Sequence, residues 1–346
     1  MHLPEGFPVA PMLAKAVAGI PDTAGLSYEP KWDGFRAIAY VDGADVELDS
    51  RGSKPLTRYF PELVAEFTRQ LPVSCVIDGE IVVRQGPVGS EYLDWDALSQ
   101  RIHPAQSRIL RLAEETPADF VAFDLLYLND RSLKDDPFES RRAALEALFE
   151  KIEAPLHVTR ATRDASLAGR WLDQFEGAGL DGVVSKPLAA PYTPGKRTML
   201  KTKHVRTADV VVLGYRIHSS GEGVGSLLVG LHDAAGELQS VGGIAAFSNE
   251  RRRALIGELD HLVQRDSSGT AVAGESDRSR FSGSRDTSFV RLRPELVVEV
   301  RYDHMEGARF RHTVQFERWR PDRDAASCMF DQLERPVAYD LGSVLG

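Results

Sequence analysis

Short apolar runs alternate with helical periodicity through the first part of the chain. Residues 35–51, FRAIAYVDGADVELDSR, predict a β-hairpin that turns at Asp42-Gly43. The runs CVIDGEIVV and DFVAFDLLYL are apolar and rich in β-branched residues, which indicates buried strands at 75–83 and 119–128. Helical spacing or a short strand pattern covers five further segments. Helices are predicted at 59–71, 138–152 and 165–179, and short strands at 181–187 and 198–203.

The pattern changes to short strands with a single helix after about residue 206. Five strand-like runs and one helix in a segment of this size predict a small β-barrel of the OB-fold type. The strands are predicted at 209–217, 225–233, 238–247, 296–305 and 311–319, and the helix at 249–263. Residues 266–288 are polar and rich in Ser, Gly and Arg, which predicts a mobile loop. The chain is therefore expected to be α+β, with domains at 1–206 and 207–346.

Composition excludes several classes of protein. The 346 residues are 42% hydrophobic with a net charge of −9, so a chain-wide basic coat for nucleic acid is absent. Cys75 and Cys328 are the only cysteines, which excludes a cysteine-type zinc site and argues against a disulfide scaffold. Neither a signal peptide nor an apolar run long enough to span a membrane is recognised. These features predict a cytoplasmic protein.

Lysine is scarce in this sequence, and its positions are therefore informative. Nine of the 42 basic residues are lysine, and none follows Lys203. Lysine, unlike arginine, can lose its proton and act as a nucleophile. Lys31 lies in YEPKWDGFRA, close to a glutamate, an aspartate, a glycine and an arginine. Taken alone, this stretch fits a surface lysine at a strand-loop junction as well as it fits a nucleophile.

KWDGFR resembles motif I of the covalent nucleotidyltransferases, which include ATP-dependent DNA ligases, RNA ligases and mRNA capping enzymes. The family's other motifs follow in order along nearly the whole chain. They are SRGSKPLTRYFPE at 50–62, DGE at 78–80, FDLLYL at 123–128, DGVVSK at 181–186, LKTK at 200–203 and RWRPDRD at 318–324. The resemblance implies an N-terminal nucleotidyltransferase (ATP-grasp-like adenylation) domain followed by the OB-fold. The segments PMLAKAV and EVRYDHMEGARFRHTVQFERWRPDRD are most similar to bacterial (actinobacterial) ligase C and the ligase domain of ligase D.

The resemblance assigns the nucleotide contacts of the first motifs. Lys31 is implied to attack the α-phosphate of ATP and to carry AMP through a phosphoramidate bond. Phe123 is implied to stack on adenine, and Glu29 to accept a hydrogen bond from its amino group. Asp33 and Arg36 are implied to hold the sugar-phosphate and the nick, with Asp33 counted among the catalytic residues.

The later motifs imply contacts with phosphates and metal. Glu80 follows the Asp78-Gly79 pair between two apolar runs, so it is expected at a strand end that faces a pocket. The resemblance assigns it to the ribose hydroxyls and, with Asp181, to Mg²⁺ or Mn²⁺. Most relatives have glutamate at the position of Asp181, so its direct metal ligation is left open. Lys201 and Lys203, two residues apart on a predicted strand, are expected on one face as catalytic phosphate contacts. Lys186 is assigned to the nucleotide site, with the alternative that it merely follows the motif.

Arginines complete the implied nucleotide site. Arg51 occupies the arginine position of the second motif. Arg318 and Arg320 belong to the last motif, which contacts the β,γ-phosphates in such ligases. Arg323 stands where relatives usually carry lysine. Plainer interpretations remain open for these residue types: turn acids at the DG pairs, a core phenylalanine, a solvated glutamate and a basic strand edge.

The sequence therefore predicts an ATP-dependent DNA ligase that seals nicks in duplex DNA, in repair, through lysyl-AMP and an adenylated 5′-phosphate. An RNA ligase or a capping-type guanylyltransferase is the first alternative, because it shares the lysine chemistry. A catalytically silent nucleic-acid-binding module on the same fold is the second. The expected partner is nicked duplex DNA, gripped with help from Arg278, Arg280 and Arg285. Other DNA-repair proteins are candidate partners, and the chain is expected to be a monomer.

Overall fold

The computed structural model describes residues 7–275, 288–334 and 336–345. The described residues form two compact units: those up to His204 together with those from Pro336 onward, and those from Val205 to Glu334. This division corrects the expected domain limits of 1–206 and 207–346. The C-terminal segment belongs to the first unit because Leu341 and Val344 are buried there. Among the described residues, no helix has the length and apolar character needed to cross a membrane.

The first unit contains eleven strands and five helices among its described residues up to His204. The strands are β1 (Leu13–Ala16), β2 (Leu26–Pro30), β3 (Phe35–Asp42), β4 (Asp45–Ser50), β5 (Cys75–Gln85), β6 (Tyr92–Leu93), β7 (Ala118–Leu128), β8 (Arg131–Ser132), β9 (Leu156–Val158), β10 (Val183–Pro187) and β11 (Arg197–Thr202). The helices are α1 (Pro61–Gln70), α2 (Trp95–Gln100), α3 (Gln106–Glu115), α4 (Phe138–Phe149) and α5 (Ala165–Phe175). The predicted hairpin, strands and helices are confirmed, whereas α2 and α3 were not predicted.

Two sheets face each other in this unit. The larger has the order β4-β3-β5-β7-β8, extended by β6 and β9, and the smaller has the order β1-β11-β10-β2. One face of the larger sheet packs on α1, α2 and α4 through residues such as Ile77 and Ile81. Its other face shares two apolar clusters with the smaller sheet, one around Tyr40 and Met199 and one around Tyr28 and Val82. Polar side chains lie between these two clusters.

The second unit is a closed barrel with one long helix. Its strands are β12 (Arg206–Ile217), β13 (Val224–His232), β14 (Leu238–Ile244), β15 (Ala273–Glu275), β16 (Ser288–Arg291), β17 (Val297–Tyr302), β18 (Met305–Glu306), β19 (Arg309–Phe310) and β20 (Gln315–Trp319), and its helix is α6 (Asn249–Leu259). Antiparallel pairing runs β14-β13-β12-β17-β20, and a parallel bridge between Ile244 and Val314 closes the ring. This arrangement confirms the predicted OB-fold.

The predicted loop at 266–288 is only partly described. Residues 266–272 form a turn, as expected of a loop, whereas 273–275 pair with 288–290 as an antiparallel ladder and are strand. Residues 276–287, including Arg278, Arg280 and Arg285, lie outside the described residues. After the second unit, the chain ends in the short helix α7 (Gly342–Leu345) of the first unit.

Burial predicts which apolar substitutions unfold the first unit. Leu63 on α1 is fully buried, whereas Leu110 on α3 is 50% exposed. Leu63→Ala is expected to lower the free energy of unfolding by about 2–5 kcal/mol, because it removes packed atoms and leaves a cavity. The matched control Leu110→Ala is expected to change it by less than about 0.5 kcal/mol. Urea unfolding, monitored through hydrogen exchange of the backbone amides in β5 and β7, reports on the first unit alone. Equal losses of unfolding free energy in the two variants would contradict the assigned core.

Candidate active site

Lys31 follows strand β2 directly, and its backbone is fixed by the segment before β10. The Lys31 amide donates to the carbonyl of Gly182 at 2.8 Å, and the Asp181 amide donates to the carbonyl of Lys31 at 2.9 Å. Gly182 has a φ of +131°, and a Cβ there would overlap the carbonyl oxygen of Thr202. Main-chain hydrogen bonds thus hold the KWDGFR and DGVVSK motifs in register with one another.

Three lysines surround one carboxylate. The Lys31 ammonium forms a hydrogen-bonded ion pair with Oδ2 of Asp181, and Nζ of Lys203 lies 3.0 Å from the same oxygen. Burial by itself would raise the pKa of Asp181, but Lys31 and Lys203 together hold it below its ordinary value. Burial lowers the pKa of Lys201, and the charges of Lys31, Lys203 and Arg51 lower it further. This cluster could neutralise a bound polyphosphate.

The structure modifies the expected placement of the lysine pair. Strand β11 ends at Thr202, so Lys203 lies just beyond it instead of alternating with Lys201 along the strand. Arg51 is exposed in the turn that follows β4. Its charge nevertheless acts on Lys201, which puts it on the same side as the lysine cluster.

Glu80 lies in the middle of β5, which corrects the prediction that it sits at a strand end. Its Oε1 accepts a hydrogen bond from the Gly34 amide at 3.2 Å, and Arg36 is its neighbour on β3. Burial raises the pKa of Glu80 to about 7, although Lys31 and Arg36 oppose this rise, and Asp33 adds a like charge. The DG pair before Glu80 is strand rather than turn.

Arg36 is held by a buried hydrogen-bond chain. Its guanidinium donates to both oxygens of Asp78, at 2.9 and 2.6 Å. The Tyr192 hydroxyl donates to Asp78 at 2.6 Å and accepts from the Met12 amide at 2.9 Å. Burial alone would lower the pKa of Arg36, but the contact with Asp78 raises it, so Arg36 is a permanent cation. Sequence reasoning missed Asp78 and Tyr192; only Asp78 lay within a recognised motif.

Phe123 projects into the site because of a β-bulge. Ala122 pairs with Gly79 and Asp124 pairs with Asp78, which leaves Phe123 as the extra residue of β7. The bulge separates it from the core-facing positions of the strand. Its ring centroid lies 5.0 Å from the guanidinium carbon of Arg36.

Glu29 is buried at the end of the site nearest Phe123. Lys186 contacts Oε2 of Glu29 at 2.7 Å and also donates to the carbonyl of Phe123 at 2.8 Å. Glu29 lies opposite Val184, and Lys186 follows two residues later, so both side chains share one face of the small sheet. Burial raises the pKa of Glu29, while Lys186 and Arg142 act to lower it. Lys186 is itself only 3% exposed, which assigns it to the wall around Glu29.

The three arginines of the last motif pair with carboxylates of the second unit. Arg318 lies opposite Glu299 on the neighbouring strand, with Nε 2.5 Å from Oε2. Arg320 donates to both oxygens of Asp209, at 2.9 and 3.0 Å, and Arg323 lies 3.5 Å from the same carboxylate. The Arg318 side chain is 65% exposed, which makes it the most solvent-accessible of the three arginines.

A metal would need ligands beyond the protein. The described residues contain no group of three or more His, Cys, Asp or Glu side chains suited to holding an ion. Of the two expected ligands, Asp181 already faces two lysines, and Glu80 is the carboxylate not paired with them. This donor set fits Mg²⁺, which is commonly held by one or two carboxylates together with substrate phosphates.

Comparison with known proteins establishes the family. Residues 11–203 match the family model described as ATP dependent DNA ligase domain, and residues 220–323 match ATP dependent DNA ligase C terminal region. DNA ligase C1 of Mycolicibacterium smegmatis is 53% identical over all of this chain and 99% of its own length. DNA ligase C of Mycobacterium tuberculosis is 53% identical over 100% and 99% of the two lengths.

A solved structure agrees with this result. The ligase domain of M. tuberculosis LigD has a TM-score of 0.50 and 29% identity, covering 93% of this chain and 98% of that one. The chain therefore belongs to the ATP-dependent DNA ligase family, as its motifs predicted.

The raised pKa of Glu80 predicts a pH-dependent stability. A carboxyl group with a pKa raised by folding stabilises the fold at low pH, and this contribution is lost as pH rises through about 7. From pH 5 to 8, the nucleotide-free protein is expected to lose about 1–3 kcal/mol relative to Glu80→Gln. Urea unfolding at several pH values measures this difference. Glu115→Gln, an exposed control on α3, should have the same pH dependence of unfolding free energy as wild type. The same pH dependence in wild type and Glu80→Gln would contradict the assignment to Glu80.

Proposed function

We propose that this protein seals nicks in duplex DNA, using ATP and a covalent lysyl-AMP intermediate. The observation that carries the proposal is the placement of Lys31 against Asp181, with Lys201 and Lys203 beside it. The primary amine of Lys31, next to two further cations, suits attack on the polyphosphate chain of a nucleotide. Family membership supports ATP as the nucleotide and DNA as the substrate.

In the first step, neutral Lys31 would attack the α-phosphorus of ATP. The Lys31 ammonium must first release one proton to solvent. The nitrogen–phosphorus bond then forms while the bond to the bridging oxygen breaks, pyrophosphate leaves, and the nitrogen loses a second proton to solvent. Asp181 would orient the amine through its hydrogen bond, and Lys201 and Lys203 would stabilise the charge that develops on the phosphates. A divalent cation, Mg²⁺ or Mn²⁺, would supply further charge neutralisation, held by Glu80 and the phosphates.

The base and the sugar would be held on the other side of Lys31. Phe123, displaced from the core by its bulge, offers a ring for adenine to stack on, and Glu29 offers an acceptor for the amino group. Arg36 and Asp33 would hold the sugar-phosphate, with Arg36 fixed by Asp78.

In the later steps, AMP would pass to the 5′-phosphate at a nick, and the adjacent 3′-hydroxyl would then displace it. Both are phosphoryl transfers with the same charge requirements, so the same cations would serve them. Arg51, beside the lysine cluster, would contact the nucleotide phosphates. Arginines of the second unit would follow the duplex backbone, and such contacts bind DNA in a salt-dependent, sequence-independent way. We further propose that the protein acts in DNA repair, in the cytoplasm, as a monomer that repair proteins recruit.

Radiolabelling tests the lysine chemistry. With α-labelled ATP and Mg²⁺ or Mn²⁺, the protein is expected to gain a covalent label and one AMP in intact mass, because Lys31 forms the phosphoramidate. Lys31→Ala should abolish the label, while Lys151→Ala, an exposed lysine in the turn after α4 and outside all the motifs, should retain it. Label from GTP would indicate a capping-type enzyme, and no label from either nucleotide would indicate a silent binding module.

Nick sealing tests the substrate. A nicked DNA duplex is expected to be joined, and the same duplex with an RNA nick joined poorly. Joining of RNA alone would replace the DNA assignment by an RNA ligase.

The exposed arginine of the last motif is expected to act in the first step. If Arg318 contacts the β,γ-phosphates, Arg318→Ala should slow labelling from ATP by about 10–100-fold. Sealing of a nick that already carries AMP should stay within about threefold of wild type, because pyrophosphate has then left. Arg301→Ala, an exposed control on β17, should affect neither rate. Equal slowing of both steps by Arg318→Ala would remove this role.

A further inference from the structure

Arg142 on α4 reaches the buried Glu29 from outside the family's motifs. Its Nη2 donates to the carbonyl of Thr159 at 2.6 Å, and its Nε donates to Oε1 of Glu146 at 2.7 Å. Its Nη1 lies 3.6 Å from Oε1 of Glu29. The side chain is 12% exposed, so the guanidinium lies behind the base site with its orientation fixed by two hydrogen bonds.

The two oxygens of Glu29 have different surroundings. Oε2 forms an ion pair with Nζ of Lys186 at 2.7 Å. Within the described part of the chain, Oε1 has no hydrogen-bond partner, and neither has Nη1 of Arg142, since 3.6 Å is too long for one. An unsatisfied buried acceptor is unusual, and it is explained here if a ligand donor completes it. Arg142 therefore supports the charge of Oε1 and leaves its lone pairs open.

The charge of this carboxylate decides which purine it accepts. An ionised carboxylate only accepts hydrogen bonds, so it pairs with the 6-amino group of adenine and repels a 6-oxo group. A protonated carboxyl can also donate and would tolerate the 6-oxo group. Burial favours the protonated form of Glu29, as does Asp124 on β7, while Lys186 on β10 and Arg142 on α4 favour the ionised form.

We propose that Arg142 is a specificity-determining positioning residue: it holds Glu29 as an ionised acceptor and so makes transfer to Lys31 selective for adenine over 6-oxopurines. The proposal rests on the proposed function, because it assigns the base contact of the same reaction. It extends the site to a helix that carries none of the motifs.

Initial rates of covalent labelling from ATP and from ITP, at pH 6, 7 and 8, test this role. Arg142→Met is expected to lower the ATP/ITP rate ratio by about tenfold or more, and most strongly at pH 6, where the unsupported carboxyl is protonated. Methionine is chosen because a surface cavity of about 600 Å³ adjoins Arg142, and a smaller side chain would admit water to Glu29. Arg142→Lys should stay close to wild type because it keeps the charge.

The controls separate this role from a structural one. Arg163→Met removes an exposed arginine that pairs with Glu139 and should leave the ratio unchanged. If Arg142→Met does not fold, Arg142→Gln, which can still donate to Thr159, replaces it with the same expectation. An unchanged ratio in the neutral variants, or an equal fall in Arg142→Lys, would overturn the proposal. Failure of wild type to label from ATP would instead overturn the proposed function.

Discussion

The site depends on one carboxylate that is shared by cations. Asp181 contacts the ammonium groups of Lys31 and Lys203, while its backbone and that of Gly182 hydrogen-bond to Lys31. A buried carboxylate is stable only if it is paired, and the lysines can approach one another only if a negative charge lies between them. Each group therefore stabilises the position of the others. The aspartate side chain, one methylene shorter than a glutamate's, reaches both lysines.

Much of the fold followed from the sequence because its periodicities are local. The hairpin at Asp42-Gly43 and the barrel strands have clear two-residue alternation or apolar runs. Helix α2 was missed because six residues are too few for a periodic pattern, whereas α3, with Ile109 and Leu112 buried on one face, does have helical spacing and was overlooked. Glu80 was misplaced because DG usually marks a turn. In this strand, Gly79 is required instead by the ring of Phe120, which occupies the space where a Cβ would lie.

The candidate site was predictable only in its motif residues. Lys31, Glu80, Lys201 and Lys203 stood out as residue types with a chemistry that fits their spacing. The residues that hold these side chains in place could not be recognised in the sequence. A residue such as Tyr192 or Arg142 is brought close by tertiary packing and not by sequence distance. The bulge that exposes Phe123 is likewise a property of strand pairing, which depends on β5 as much as on β7. Family resemblance supplied the roles, but not these contacts.

The interior of the first unit contains more charge than stability requires. Of the buried ion pairs among the described residues, three lie beside the site: Arg36 with Asp78, Glu29 with Lys186, and Arg141 with Asp124. Apolar residues of similar size often stabilise a core as well as such pairs do, because desolvation offsets the attraction between the charges. Each pair includes, or adjoins in sequence, a group assigned to the nucleotide: Arg36, Glu29 and Phe123. We infer that the pairs are kept because they fix the direction of these groups, which an apolar core would leave free to rotate.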